Sequence, residues 1–160
     1  MVITFDTAFN RLIGHEGGLV DDPQDPGGMT KFGISKRSYP NVDIRNLTLH
    51  EAKQIYYRDF WSVLGDDVHS AVKFQVFDAA VNHGIGNALR MLQRAVDVAD
   101  DGHFGPVSLR AVLAHGVDDV LLRFLAQRIR FMVRLEKFTR YGRGWMERIA
   151  GNLQYASEDN

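Results

Sequence analysis

SAVKFQVFDAAVNH, residues 70–83, is the most apolar of the helices that the sequence predicts. Its apolar side chains would cover nearly every side of the helix: Val72, Phe74, Val76, Phe77, Ala79, Ala80 and Val81. Because a helix that is apolar all round must be enclosed by other elements, we expect this one to be central and buried.

The same stretch carries three polar residues at helical spacing. Gln75, Asp78 and Asn82 fall at positions i, i+3 and i+7 and would form one polar stripe. Buried polar groups need partners, so the stripe could face a cleft and bind the polar groups of a substrate. Equally, Asp78 and Asn82 could satisfy neighbouring backbone, with Asn82 helping to end the helix. Both interpretations stay open at this point.

The sequence around this helix is predominantly helical. Thr48 and Glu51 form a capping box, whereas the stretch 19–46 is rich in Asp, Pro and Gly and predicts a loop or a short hairpin. The pattern predicts a mainly α fold with at most a small β-hairpin, in one compact unit of two lobes, 1–68 and 69–160. The other predicted helices cover residues 3–15, 48–61, 87–98, 106–116, 117–137 and 144–155.

Composition excludes several classes of protein. The chain has 160 residues and no Cys, so it has neither disulfides nor thiolate metal sites. A net charge of −1 argues against a nucleic-acid binder, and no stretch predicts a signal peptide or stable membrane insertion. The six His residues are scattered, which predicts no metal and no cofactor. The predicted helix 117–137 carries one polar stripe, which is either a solvated surface or a basic surface that is attracted to the anionic cell envelope. Its residues are Arg123, Gln127, Arg130, Arg134 and Lys137.

Two acidic residues near the N-terminus are candidates for catalysis. Glu16 follows an amphipathic helix and precedes Gly17-Gly18, and Asp25 precedes Pro26-Gly27-Gly28 and Thr30. Glycoside cleavage commonly uses one carboxylic acid to protonate the leaving oxygen and a second group to handle water. A Glu at the end of an apolar helix can stay protonated, whereas an Asp on a polar turn stays ionised. From spacing alone, the favoured explanation is that Glu16 only decorates a helix end and Asp25 caps a turn, because functional carboxylates are a minority.

The motifs around these residues resemble glycoside hydrolase family 108, which comprises phage and prophage N-acetylmuramidases of lysozyme-like helical fold. The resemblance rests on His15-Glu16-Gly17-Gly18 and on the run from Pro23 to Ile34, and its one departure is Leu19, where the family usually has an aromatic residue. It implies that Glu16 is the catalytic acid. In phage-type lysozymes, an Asp and a Thr at similar but not identical spacing hold a water on the far sugar face, which gives Asp25 and Thr30 that role.

The C-terminal half resembles the predicted peptidoglycan-binding region that follows the catalytic motif in this family. The matching residues are Phe77–Gly84, Leu92-Gln93 and Asp101–Pro106. The resemblance implies a muramidase that cuts the β-1,4 bond between N-acetylmuramic acid and N-acetylglucosamine. Its substrate would be peptidoglycan glycan strands, and a holin-type partner would release it from the bacterial cytoplasm to the wall in the periplasm. We expect a monomer.

Two other functions are compatible with the same residues. One is a peptidoglycan-binding protein without catalytic activity, and the other is a muramidase that serves a secretion system. The aromatic residues Tyr56, Tyr57, Phe60 and Trp61 should be mostly core, although one of them could line a sugar subsite.

Overall fold

The computed structural model of the protein describes residues 2–13, 19–21, 23 and 28–160. In this part of the chain, seven α-helices surround a very small antiparallel sheet, which confirms the mainly α, lysozyme-like prediction. The helices are α1 Phe5–Ile13, α2 Leu49–Tyr56, α3 Ser70–His83, α4 Ile85–Ala95, α5 Pro106–Ala114, α6 Val117–Val133 and α7 Phe138–Asp159.

The sheet has three strands of two residues each: β1 Leu19–Val20, β2 Thr30–Lys31 and β3 Ile34–Ser35. Its order is β1-β2-β3, with Val20 paired to Thr30 and Thr30 paired to Ser35. Between β2 and β3, Phe32 and Gly33 have φ of 51° and 79°. Positive φ at both central residues is what a two-residue type I′ hairpin requires.

The end of α2 fixes this hairpin to the helices. The Tyr56 hydroxyl donates to the Phe32 carbonyl at 2.8 Å and lies so close to Gly33 that a Cβ there would collide with it. Thr48 accepts from the Glu51 backbone N–H at 3.2 Å, so the predicted helix cap is confirmed. After Tyr56 the helix widens into a π-helical turn, Tyr57–Trp61, and a 3-10 turn, Ser62–Leu64.

Helix α3 is central, as predicted, because it is shared by two hydrophobic clusters. Phe74 and Phe77 belong to an aromatic-rich cluster with α1, α2 and the hairpin. Val72, Val76 and Ala80 belong to an aliphatic cluster with α4, α6 and α7. Burial on both sides explains why the helix is apolar all round. The predicted division into lobes at residues 68 and 69 stays a prediction.

The boundary between the last two helices differs from the prediction of 117–137 and 144–155. Helix α6 ends at Val133 and α7 already begins at Phe138. Gly142 and Gly144 therefore lie inside α7, although glycine disfavours helix interiors. In the structure, the Phe138 ring packs so closely on Gly142 that a Cβ would lie 2.9 Å from it. This packing, together with the rest of the α6–α7 contact, holds the glycines within the helix.

Candidate active site

The three predicted catalytic residues fall differently on the structure. Glu16 and Asp25 lie outside the described residues. Thr30 is half-buried in β2, where its hydroxyl donates to the Gly28 carbonyl at 3.4 Å. That distance is long for a hydroxyl hydrogen bond, so the hydroxyl is only weakly engaged by the described residues.

A cleft of about 470 Å³ lies between α1, α3 and α7, and we call it the arginine cleft. It holds two of the three predicted substrate-binding residues, Asp78 and Asn82, on its α3 wall. Its α1 wall ends at Leu12, four positions before Glu16 in the sequence. Its lining residues within the described part of the chain are Arg11, Leu12, Phe74, Asp78, Asn82, Gly144, Trp145, Arg148, Gly151, Asn152 and Tyr155.

Asp78 is the centre of a buried charge network. Its carboxylate forms ion pairs with Arg128 on α6 and with Arg148 on α7, the latter at 2.9 Å from Nη2. The Asn152 amide also donates to Asp78, at 2.9 Å. Burial alone would raise the pKa of Asp78, but the two guanidinium groups outweigh it and hold that pKa below its ordinary value. Asp78 is therefore ionised at neutral pH.

Asn82 and His83 extend this network to the end of α3. With its amide oriented to satisfy both partners, Asn82 Oδ1 accepts from Arg128 Nη2 at 2.7 Å and from Arg148 Nε at 2.9 Å. His83 Nε2 accepts from Arg128 Nε at 3.3 Å. Burial and the positive charge of Arg128 lower the pKa of His83 to about 4. His83 is therefore neutral at neutral pH, with its proton on Nδ1.

Gln75, the third predicted binding residue, is fully buried away from the cleft lining. Its Nε2 donates to the Asn152 carbonyl at 2.9 Å, while Oε1 has no hydrogen-bond partner within the described residues. The stripe is thus held by arginine and asparagine groups of α6 and α7, 77 residues away for Gln75 and 50 or more for Asp78, instead of by neighbouring backbone. A direct contact of Gln75, Asp78 or Asn82 with substrate stays a prediction.

A second cleft, of about 610 Å³, lies on the other flank of α3, and we call it the tyrosine cleft. The Tyr39 hydroxyl donates to Asp59 Oδ2 at 2.7 Å, and Arg58 binds the same carboxylate at 2.7 Å. Burial and this hydrogen bond raise the pKa of the Tyr39 hydroxyl, so it stays a donor. The lining is Gly33, Ile34, Ser35, Ser38, Tyr39, Tyr56, Asp59, Phe60, Ala80, Val81, Gly84 and Ile85.

Sequence reasoning missed Tyr39, Asp59, Ser35 and Ser38 as cleft residues. The only available signal was the aromatic run that ends α2, two members of which, Tyr56 and Phe60, do line this cleft. Within the described ranges, no group of three acidic or histidine side chains could hold a metal ion. None of the helices described is both long and apolar enough to cross a membrane.

Comparison with known proteins agrees with this architecture. Residues 9–84 match the family model described as glycosyl hydrolase 108, and residues 87–150 match that of a predicted peptidoglycan domain. A search of curated proteins found no match. Among solved structures, the chain is similar to SagA of Brucella abortus, with a TM-score of 0.85 and 29% identity over 97% of this chain and 94% of that one.

These matches confirm the predicted family and its peptidoglycan-binding region. They meet between residues 84 and 87, where α3 gives way to α4, and together they cover most of the chain. The chain carries a glycosyl hydrolase 108 match over residues 9–84, followed by a predicted peptidoglycan domain over residues 87–150, and is a glycoside hydrolase that acts on peptidoglycan.

Proposed function

We propose that the protein is a muramidase that hydrolyses the β-1,4 bond between N-acetylmuramic acid and N-acetylglucosamine, with Glu16 as general acid. The observation that carries the proposal is the family match over residues 9–84, which contains the His15-Glu16-Gly17-Gly18 motif. Glycosidases need a carboxylic acid that protonates the leaving oxygen, and Glu16 occupies the motif position to which the family resemblance gives that role.

The described elements on either side of Glu16 support this assignment. Helix α1 ends at Ile13, three positions before it, and β1 begins at Leu19, three positions after it. Leu12 lines the arginine cleft, while β1 joins the sheet whose third strand lines the tyrosine cleft. The segment with Glu16 therefore connects a helix that borders the arginine cleft to the sheet whose third strand borders the tyrosine cleft.

Asp25 and Thr30 complete the proposed site as residues that position the attacking water. Thr30 is the described member of this pair, and its hydroxyl uses its donor weakly, toward Gly28 at 3.4 Å. A hydroxyl has one donor and two acceptor positions, so Thr30 retains the capacity to accept from a water. This residual capacity supports the water-holding role over a purely turn-stabilising one.

The tyrosine cleft supports a saccharide substrate. Sugar hydroxyls need hydrogen-bonding groups, and sugar rings stack on aromatic faces; sites of this kind combine apolar walls with a few polar groups. Tyr39, Tyr56 and Phe60 supply the rings, and Ser35, Ser38 and Asp59 supply polar groups. The volume of about 610 Å³ lies within the usual range of ligand sites.

The test is a turbidity assay on purified cell walls with Glu16→Gln, which keeps the shape of the side chain but removes the transferable proton. General acid catalysis contributes about 10²–10⁴-fold, so lysis should fall by at least about a hundredfold while the fold survives. Glu147→Gln, at an exposed position of α7, is the matched control and should lyse walls normally. A folded Glu16→Gln protein with near-normal lysis would remove Glu16 from the mechanism. No lysis by the wild type would favour a binding protein without activity.

We also propose that the enzyme works as an endolysin, made in the bacterial host cytoplasm and released to the periplasmic wall by a holin-type partner. Expression in a bacterium should then lyse cells only when the inner membrane is permeabilised in parallel. The similarity to a protein of the bacterium Brucella abortus supports a second candidate, a muramidase that serves a bacterium's own secretion machinery. Genes for a holin or for secretion components beside the coding sequence distinguish the two.

A further inference from the structure

The charge network of the arginine cleft has more positive than negative groups. Two guanidinium groups, those of Arg128 and Arg148, share the single carboxylate of Asp78. Neither forms an ion pair with a second carboxylate within the described residues, and His83 beside them is neutral at neutral pH. The network therefore carries a net charge of about +1, by simple counting of ionised groups at neutral pH.

The surplus charge faces the cleft at Arg148. Arg128 is fully buried, whereas the Arg148 side chain is 33% exposed and lines the cleft. The other cation of the cleft, Arg11, is already neutralised by two hydrogen bonds to Asp159, at 2.6 and 3.0 Å, and is stacked 3.9 Å from the Tyr155 ring centroid. Arg148 is thus the group in the cleft that can receive an anion.

The walls around Arg148 leave room for a ligand. Gly144 and Gly151 lie one turn before it and almost one turn after it on α7, and no other side chain of the described residues lies within 4 Å of where their Cβ atoms would be. Trp145 adds an aromatic wall, Asp78 and Asn82 accept hydrogen bonds from the guanidinium, and Asn152 donates to Asp78 in turn. A guanidinium fixed in this way is pre-organised, which lowers the entropy cost of binding a planar anion.

We propose that the arginine cleft binds a carboxylate of the peptidoglycan strand, with Arg148 as the residue that recognises it. This inference rests on the proposed function, because it names the part of the substrate that the cleft selects. Peptidoglycan offers that group in two places, the lactyl substituent of muramic acid and the carboxylates of the stem peptide. A hydrogen bond to a charged group that forms equally with substrate and transition state strengthens binding without changing kcat.

The test compares Arg148→Gln with the wild type on native strands and on strands whose carboxylates have been converted to amides. We expect Arg148→Gln to raise KM about tenfold or more on native strands with little change in kcat, and to leave KM unchanged on amidated strands. Arg143→Gln, which removes the same charge from an exposed position of α7 outside the cleft, should match the wild type on both. An equal change of KM on native and amidated strands, or no change on either, would overturn the proposal.

Two further measurements keep the result interpretable. Arg148→Gln leaves Asp78 with Arg128 and Asn152, so it should still unfold in one cooperative transition. Arg148→Lys keeps the charge but lacks the planar guanidinium, so its KM on native strands should lie between those of the wild type and Arg148→Gln. Sedimentation of each protein with intact and amidated sacculi measures binding without cleavage; if the wild type binds both equally, the proposal fails even where cleavage is normal. If no protein cleaves the strands but the wild type still binds intact sacculi better than Arg148→Gln does, the proposed muramidase function is wrong and the carboxylate site remains.

Measuring KM on amidase-treated strands identifies the source of the carboxylate, because the amidase removes the stem peptide and frees the lactyl carboxylate. If the stem peptide supplies the anion, the KM difference between wild type and Arg148→Gln disappears on these strands. If the lactyl group supplies it, the difference increases. A difference that stays the same on intact, amidase-treated and amidated strands would show that no carboxylate is recognised.

Discussion

The two clefts on either flank of α3 have comparable volumes, about 470 and 610 Å³, but their polar groups are held in opposite ways. In the arginine cleft, Asp78 is 1% exposed and is bound by groups from two other helices. In the tyrosine cleft, Asp59 is half-buried and bound by its chain neighbour Arg58 and by Tyr39. The first network therefore contributes to the fold itself, whereas the second can adapt to a ligand.

The largest expected effect separates these two aspartates by the same substitution. Asp78→Asn leaves the buried Arg128 without its carboxylate, and breaking a buried pair in this way costs about 3–5 kcal/mol. Asp59→Asn removes a partner from the exposed Arg58 and should cost about 1 kcal/mol or less. Denaturant unfolding of both variants measures the difference. Equal losses would mean that the Asp78 network does not stabilise the fold.

Acid sensitivity should also distinguish the clefts, through His83. Its pKa is about 4 in the folded protein against an ordinary 6.5, so protons bind the unfolded chain more readily between these values. The contribution of His83 to the free energy of unfolding is therefore fully present above about pH 6.5. It is lost as the pH drops toward 4, by at most about 1.4 kcal/mol per pH unit for one group. His83→Gln should flatten this part of the profile. Asp78, whose pKa is below the usual 3.8, affects stability only at lower pH. Identical stability profiles of the wild type and His83→Gln between pH 6.5 and 4 would show that His83 does not cause the acid sensitivity.

A smaller effect is expected for sugar binding in the tyrosine cleft. Tyr39→Phe removes a hydroxyl whose hydrogen bond to Asp59 positions both groups at the lining. Loss of one such bond should raise KM about two- to tenfold without lowering stability by more than about 1 kcal/mol. Tyr57→Phe, at an exposed position that lines neither cleft, is the control. If both variants have the KM of the wild type, the glycan does not use this cleft.

The smallest effect concerns the surface outside both clefts. Arg130 and Arg134 are exposed near the end of α6, and neither forms an ion pair within the part of the chain that the structure describes. If they attract the enzyme to the anionic cell envelope, replacing both with Gln slows lysis of permeabilised cells at low salt only, because salt screens such attraction. Cleavage of small soluble glycan fragments should not change. Parallel salt curves from about 20 to 300 mM would show that these residues only solvate the surface.

The contrast between the clefts also explains what the sequence could predict. Periodicity identified α3 as central and placed Gln75, Asp78 and Asn82 on one stripe, because both properties are local. It could not identify their partners, since Arg128 and Arg148 are 50 and 70 residues away from Asp78. The polar stripe predicted on 117–137 likewise did not indicate that Arg128, which lies between Gln127 and Arg130 in the sequence, is fully buried.

Other differences have equally specific causes. Tyr39 follows β3 and Asp59 lies in the π-helical turn after α2, so their hydrogen bond joins residues 20 positions apart that no motif linked. The start of α7 was predicted at residue 144 but lies at Phe138, and the Phe138 ring packs within 2.9 Å of where a Cβ on Gly142 would lie. By contrast, the Thr48 cap depends on residues three positions apart and was predicted correctly.

The central claim, that this glycoside hydrolase is a muramidase, is tested most directly by the new ends it creates in peptidoglycan. Purified sacculi are digested, the products are reduced, and mass spectrometry identifies the sugar at the reducing end. The products of the wild type and of Glu147→Gln should end in reduced N-acetylmuramic acid, and Glu16→Gln should create no new ends. Reducing ends of N-acetylglucosamine, or anhydro-muramic ends formed without water, would contradict it.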